Sequence, residues 1–197
     1  MTSGKMKNIK RHNINKALIF FSMFFITQAH ALELNELLHL FSQKKQSAVD
    51  FSEEKYASFL DEPIKSSGHM EFIAPNKLHK FILKPEKISQ KINANELEII
   101  NNNESHLVNL DDHPEFSIIL RAIISVLAGD QAALKNDFKT VFKHNGTDWA
   151  LLLSPHDSYI SGYVESIKMV GNKNRISKIT VTEPNNDQSI TYLSNHH

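Results

Sequence analysis

Apolar residues along this chain follow two periods, and the switches between them predict the order of elements. Leu34, Leu37, Leu38 and Phe41 recur at i, i+3, i+4 and i+7, which predicts an amphipathic helix of about three turns. From Ser47 the period becomes two, running through Phe51-Ser52-Glu53-Glu54-Lys55-Tyr56 towards Pro63. Ser66-Ser67-Gly68 marks a turn or bulge, after which His69 to Ala74 alternates as a strand with Met70 and Phe72 on one face. Pro75-Asn76 is a turn before the strand Lys77 to Leu83. Pro85 breaks that strand, Ile88 to Asn93 resumes the pattern, and Glu96 to Ile100 and His106 to Leu110 add two more. Short strands at this spacing predict an antiparallel meander.

A helical insertion interrupts the meander once. Pro114 stands where a first-turn proline belongs, and Phe116, Leu120, Ile123, Ile124 and Leu127 form an apolar stripe at helical spacing. Gly129 suits the residue just past the helix end, and Asp130 suits the cap of a short second helix through Leu134. The strand period then returns in Phe138 to Lys143 and Asp148 to Leu153, joined at Asn145-Gly146, a strong hairpin signal. Ser161 to Val170, Arg175 to Thr182 and Ser189 to Leu193 complete the set.

The sum is an α+β domain: one helix, about six strands, a helical insertion and about five more strands. An antiparallel sheet that large curls on itself. Its concave side is where the apolar helices can bury their stripes. The predicted architecture is a single curved sheet of about eleven strands, an unclosed half-barrel covered on its concave side by helices.

The N-terminus has a different pattern. Lys5, Lys7, Lys10, Arg11 and Lys16 precede an apolar run from Ala17 to Ile26, and Ala29-His30-Ala31 follows as a small-x-small pattern. This is the layout of a secretory signal peptide over residues 1–31, which predicts a mature domain over 32–197 and a periplasmic location. As a helix the run would rise only about 15 Å, half of a ~30 Å hydrocarbon core. No cysteine follows it to carry a lipid anchor.

Composition narrows the partners. The whole chain is formally neutral, and the predicted mature part carries 17 Lys+Arg against 22 Asp+Glu. That balance gives no footprint for nucleic acid. With no cysteine in the chain, disulfides, thiol nucleophiles and cysteine-bound metals are excluded.

Several segments together resemble the periplasmic outer-membrane lipoprotein carriers, the LolA family, and in particular a divergent LolA-related branch. They are Phe51-x-Glu53-x-Lys55-Tyr56, then Leu60-x-x-Pro63-Ile64-x-Ser66-Ser67-Gly68-x-Met70-x-Phe72-x-Ala74-Pro75. Leu78-x-Lys80, Pro85, Leu127-Ala128-Gly129-Asp130, Leu134, Phe138 and Trp149-x-Leu151-x-Leu153-x-Pro155 follow in family order. The resemblance implies a hydrophobic cavity that receives the acyl chains of a lipoprotein from an inner-membrane exporter and passes them to an outer-membrane acceptor. It implies no bond made or broken; no cofactor is expected, and the chain is expected to be a monomer. The chain departs from the carriers at Ala74, where they have a basic residue before the proline. It departs again at Lys80, where they have an aromatic, and at Asn93-Ala94-Asn95, where they have an Asp-Gly turn.

A carrier of acyl chains needs apolar area rather than reactive groups, because each buried methylene contributes roughly 0.8 kcal/mol. The expected lining is Met70 and Phe72, then Trp149, Leu151 and Leu153, then Ile123, Ile124 and Leu127. For each of these the plainer alternative is ordinary core. If Leu78, Lys80 and Ile82 share the inward face, Lys80 places a cation where a phosphate or carboxylate head group would lie. The alternative is a lysine at the rim, its stem packed and its ammonium in water.

Enzyme readings have little support. The eleven histidines show no His-x-x-x-His or His/Glu spacing that would hold a metal. His156-Asp157-Ser158 has triad residue types but reads as a loop, and no Gly-x-Ser-x-Gly elbow occurs. Beside the carrier stands a second reading, a non-enzymatic accessory protein of a lipid or glycolipid export pathway that docks a partner without holding cargo. Hydrolysis of an acyl ester is the third.

Overall fold

The computed structural model describes Met1 and residues 33–195. The predicted signal segment therefore lies, beyond Met1, outside the described residues.

Helix α1 (Leu34–Ser42) opens the domain. The strands β1 (Gln46–Tyr56), β2 (Ile64–Ile73), β3 (Lys77–Lys84), β4 (Ile88–Asn93), β5 (Glu96–Asn101) and β6 (Glu104–Asn109) then meander in sequence. The helices α2 (Pro114–Ala128) and α3 (Gln131–Asp137) follow. Five strands come after them: β7 (Phe138–Asn145), β8 (Asp148–Pro155), β9 (Ser166–Asn172), β10 (Arg175–Thr182) and β11 (Gln188–Asn195). All eleven form one antiparallel sheet in the order β6-β5-β4-β3-β2-β1-β11-β10-β9-β8-β7. The last strand pairs with the first, Phe51 opposite Leu193, so β1 sits at the centre and β6 and β7 are the edges. This is the open, eleven-stranded α+β half-barrel that the periodicity predicts.

One marker takes one of its two predicted forms, and two segments differ in detail from theirs. Ser66-Ser67-Gly68 lies inside β2, whose register against β3 shifts between Ser67 and Gly68. It is a bulge, and a Cβ on Gly68 would stand 1.8 Å from the Phe81 carbonyl oxygen. The predicted strand Ser161 to Val170 splits: Ser158–Ser161 form a short helix, α4, and strand pairing starts at Ser166. The cause is Asp157, whose carboxylate accepts from the Tyr159 and Ile160 amides and so favours a helical turn. Likewise Asn109 accepts from the Asp111 amide, ending β6 in a single 3-10 turn over Leu110–Asp112.

The insertion folds as its caps dictate. Pro114 begins α2, and Gly129 ends it at φ +70°, donating to the Ser125 and Val126 carbonyls. The Asp130 carboxylate accepts from Ala133 N at 2.9 Å to start α3. Because α2 is apolar over much of its circumference, it packs on both sides. One side joins Leu37, Leu38 and Phe41 of α1 to Leu151, Leu153, Ile167 and Met169 of the sheet, in the larger core. The other presents Leu120, Ile124 and Ala128 to Phe72, Leu78, Ile92 and Leu97, in the smaller one. Ile123 and Leu127 reach both cores. The helix thus bridges two filled wings of the sheet.

Candidate functional site

Between those wings the concave face is not filled. The middle strands turn Val49, Met70 and Leu193 inward, and each of these stays half-buried where the wing residues are buried. Val49 is opposite both Met70 and Asn195, and Phe72 is opposite Leu78, so the pleat places their side chains on one surface. Over this surface pass Phe41 at the end of α1 and Ile123 and Leu127 of α2. Together with Ile176 and Ile179 they enclose a cavity of about 570 Å³. That volume lies in the ~300–1,000 Å³ range of sites that bury a small organic ligand.

Toward solvent the lining becomes polar, with Lys44, Gln46, Asn172, Asn174, Arg175, Ser177 and Asn195. This mouth is tied together by the β9–β10 turn. Trp149 Nε1 donates to Lys173 O at 2.7 Å and Lys44 Nζ donates to Asn174 O at 2.6 Å. Asn174 Nδ2 reaches back to Leu40 O at 3.5 Å. Burial first, and the neighbouring Arg175 charge second, draw the Lys44 ammonium below the ordinary lysine pKa.

Of the residues expected at the site, Met70, Phe72, Leu78, Ile123 and Leu127 line the cavity. Ile124 packs in the smaller core. Trp149, Leu151 and Leu153 are packed solid in the larger core, at 3 %, 0 % and 0 % exposure. Trp149 still bears on the cavity indirectly, because its ring meets Phe41 edge-on at 6.1 Å between centroids. Ile82 does share a face with Leu78 and Lys80, but it lies opposite Gly68, further along β3 and outside the lining.

Lys80 is placed by a carboxylate. Its ammonium pairs with Glu53 of β1 and lies 4.7 Å from the Phe51 ring centroid. Glu53 also accepts from Ser189 Oγ at 2.8 Å. Burial pushes the Glu53 carboxyl up, but the Lys80 charge and hydrogen bonds from Lys80, Ser189 and Ser66 together hold it below the ordinary range. The Lys80 charge is therefore compensated within the sheet. Lys55 is by contrast half-exposed, 3.8 Å from Glu183.

The sequence reading missed Phe41, Val49, Ile176, Ile179 and Leu193, and every polar residue of the mouth. Alternation in β1 carries the signal for Val49. In β10 no such signal exists, because a register shift between Ile176 and Lys178 lets Ile176 and Ile179 both point inward at odd spacing. Among the described residues no group of three or more His, Asp or Glu is arranged to hold a metal ion. No helix among them is long and apolar enough to cross a membrane.

Several solved structures resemble the chain in outline. A LolA superfamily protein from Nitrosomonas europaea is 10% identical over 84% of this chain and 93% of its own, with a TM-score of 0.44. The MucA/MucB complex of Pseudomonas aeruginosa gives 7%, 83%, 56% and 0.45 in the same terms. The Mycobacterium tuberculosis lipoprotein LppX gives 6%, 82%, 93% and 0.41. No curated protein matches the sequence. The family whose profile matches is described as "Outer membrane lipoprotein carrier protein LolA-like", and the match runs over residues 26–195. On that match, which spans nearly the whole sequence, the chain belongs to the LolA-like family of outer membrane lipoprotein carrier proteins.

Proposed function

We propose that this protein is a periplasmic carrier that sequesters acyl chains in the cavity between α2 and the middle strands. Residues 1–31 direct its export and are removed, and residues 32–197 form the carrier domain. It receives a lipoprotein or another lipid from an inner-membrane exporter and moves it towards an outer-membrane acceptor, acting as a monomer and without catalysis. One observation carries the reading: about 570 Å³ of unfilled space, walled by Val49, Met70, Phe72, Leu78, Ile123 and Leu127, lies between two packed cores. A soluble domain gains nothing from such a hollow, since unfilled apolar space forfeits packing. Each methylene placed there contributes roughly 0.8 kcal/mol. The helix above it bridges the wings, and tilting that helix offers a route for release.

The test is native mass spectrometry of the protein taken from the periplasm, paired with a Met70→Trp variant. Wild type retains lipid mass and takes up a fluorescent fatty acid, while the indole of the variant fills the cavity and abolishes both. A wild-type protein that carries no lipid and takes up no fatty acid defeats the reading, and supports an accessory protein that docks a partner without cargo.

A further inference from the structure

At its outer end the cavity passes from hydrocarbon to hydrogen-bond donors, and that end has a sign. Lys44 and Arg175 are in the lining, and no carboxylate is there among the described residues. This runs against the acidic balance of residues 32–197. Elsewhere in the domain Lys55, Lys65, Lys80, Lys91 and Arg121 each face a carboxylate, as other lysines among the described residues do not. Neither Lys44 nor Arg175 pairs with one among the described residues.

Lys44 is built into place, and Arg175 stands beside it. The Lys44 ammonium lies 6.0 Å from the Phe41 ring centroid and spends one donor on Asn174 O, leaving two of its three. Arg175 begins β10 opposite Asn172 of β9, so its backbone is set by the turn that holds Lys44, and its exposed guanidinium brings five donors to the mouth. Burial and a like charge nearby both disfavour the Lys44 cation. An anion set between the two groups relieves the repulsion and accepts from both.

We propose that this mouth recognises the anionic head, carboxylate or phosphate, of a single-chain amphiphile whose tail lies on Met70, Phe72 and Leu78. The proposal rests on the carrier reading and adds the head-group class to it. The cavity volume suits one tail, and the polar lining sits where a head must remain in contact with water. Lys80, on the same concave face, cannot substitute, because Glu53 already neutralises it.

The experiment measures affinities of the purified protein for palmitate, palmitoyl lysophosphatidate and monopalmitoylglycerol, three probes with one tail and different heads. Displacement of a neutral fluorescent probe reports binding. Wild type should prefer the two anions over the glycerol ester by about tenfold or more, the effect of one charge-assisted hydrogen bond. The paired change Lys44→Gln with Arg175→Gln should erase that preference, so that the three probes bind with equal affinity. Arg175→Lys should keep most of the preference. Arg175→Gln alone, at an exposed position, serves if the double variant fails to fold. A larger gain for lysophosphatidate than for palmitate identifies a phospholipid source, and the reverse identifies a free fatty acid. Equal affinity of wild type for all three probes, or a preference untouched in the variants, overturns this proposal and leaves the carrier standing. Failure to bind any of the three overturns both.

Discussion

Lys80 and Glu53 face each other across β2 on the concave side of the sheet, both side chains only about a fifth exposed (20 % and 22 %). The pair is partly desolvated, so removing one member leaves the other with a cost that water cannot fully meet. Lys80→Met should lower stability by about 1–3 kcal/mol at neutral pH, the usual penalty for stranding a partly buried polar group. The pH dependence gives the sharper test. Because the folded Glu53 carboxyl titrates below its unfolded range, its contribution is complete above that range and fades as pH falls through the folded value. In Lys80→Met the carboxyl loses its largest stabilising partner while burial remains, so this acid-side loss should shrink or reverse. Melting temperatures of both proteins from neutral to acid pH should converge; parallel curves would remove the pair from the account.

How much of this was legible beforehand follows from where the pattern is regular. The strands around Phe51, Phe72 and Leu97 alternate cleanly, so strand number, order of elements and concave helices could all be read from them. The cavity could not, because it is defined by what fails to touch. Leu151 and Met70 look alike as inward-facing apolar residues, yet helices fill the space before one and not the other. Arg175 and Lys44 are far apart in sequence and meet only through the β9–β10 turn. The family resemblance drew attention to Lys80 through its neighbours, while the Glu53 contact depends on strand register that periodicity leaves open.

Gly129 fixes how α1 crosses α2. A Cβ there would lie 2.3 Å from the Leu38 carbonyl oxygen and 2.7 Å from Ser42 Cβ, and the backbone is left-handed at φ +70°. Gly129→Ala should therefore cost at least about 1–2 kcal/mol for the backbone alone, with the clash adding to it. Denaturant midpoints measure the loss, and an unchanged midpoint would refute the crossing argument.

Trp149 is the sole tryptophan and is buried, with Phe41 edge-on against it at an interplanar angle of 85°. Phe41 is also a wall of the cavity. A tail entering the cavity must press on Phe41, so titration with palmitate should shift Trp149 emission saturably. Phe41→Leu should blunt the shift while leaving a folded protein at a cost of a few kcal/mol or less. Emission that ignores a ligand shown to bind by mass would separate Trp149 from the site.

Arg121 and Asp137 join α2 to the end of α3. The Asp137 side chain is 8 % exposed, and its Oδ2 lies 2.6 Å from the Arg121 guanidinium. That oxygen has no hydrogen-bond partner among the described residues, and Asn136 Nδ2 donates to Oδ1. The angle falls outside hydrogen-bonding geometry, which makes the contact one of charge more than of direction. Arg121→Ala should then strand a buried carboxylate and cost about 3 kcal/mol, near the lower end for broken buried pairs since the guanidinium itself is half in water. Arg121→Lys restores charge without the planar fork and should recover roughly half of the loss. Asp137→Asn in the Arg121→Ala background should recover more, by removing the stranded charge itself. Urea midpoints for the four proteins decide the matter, and equal losses for Arg121→Ala with and without Asp137→Asn would show that the carboxylate was never the cost.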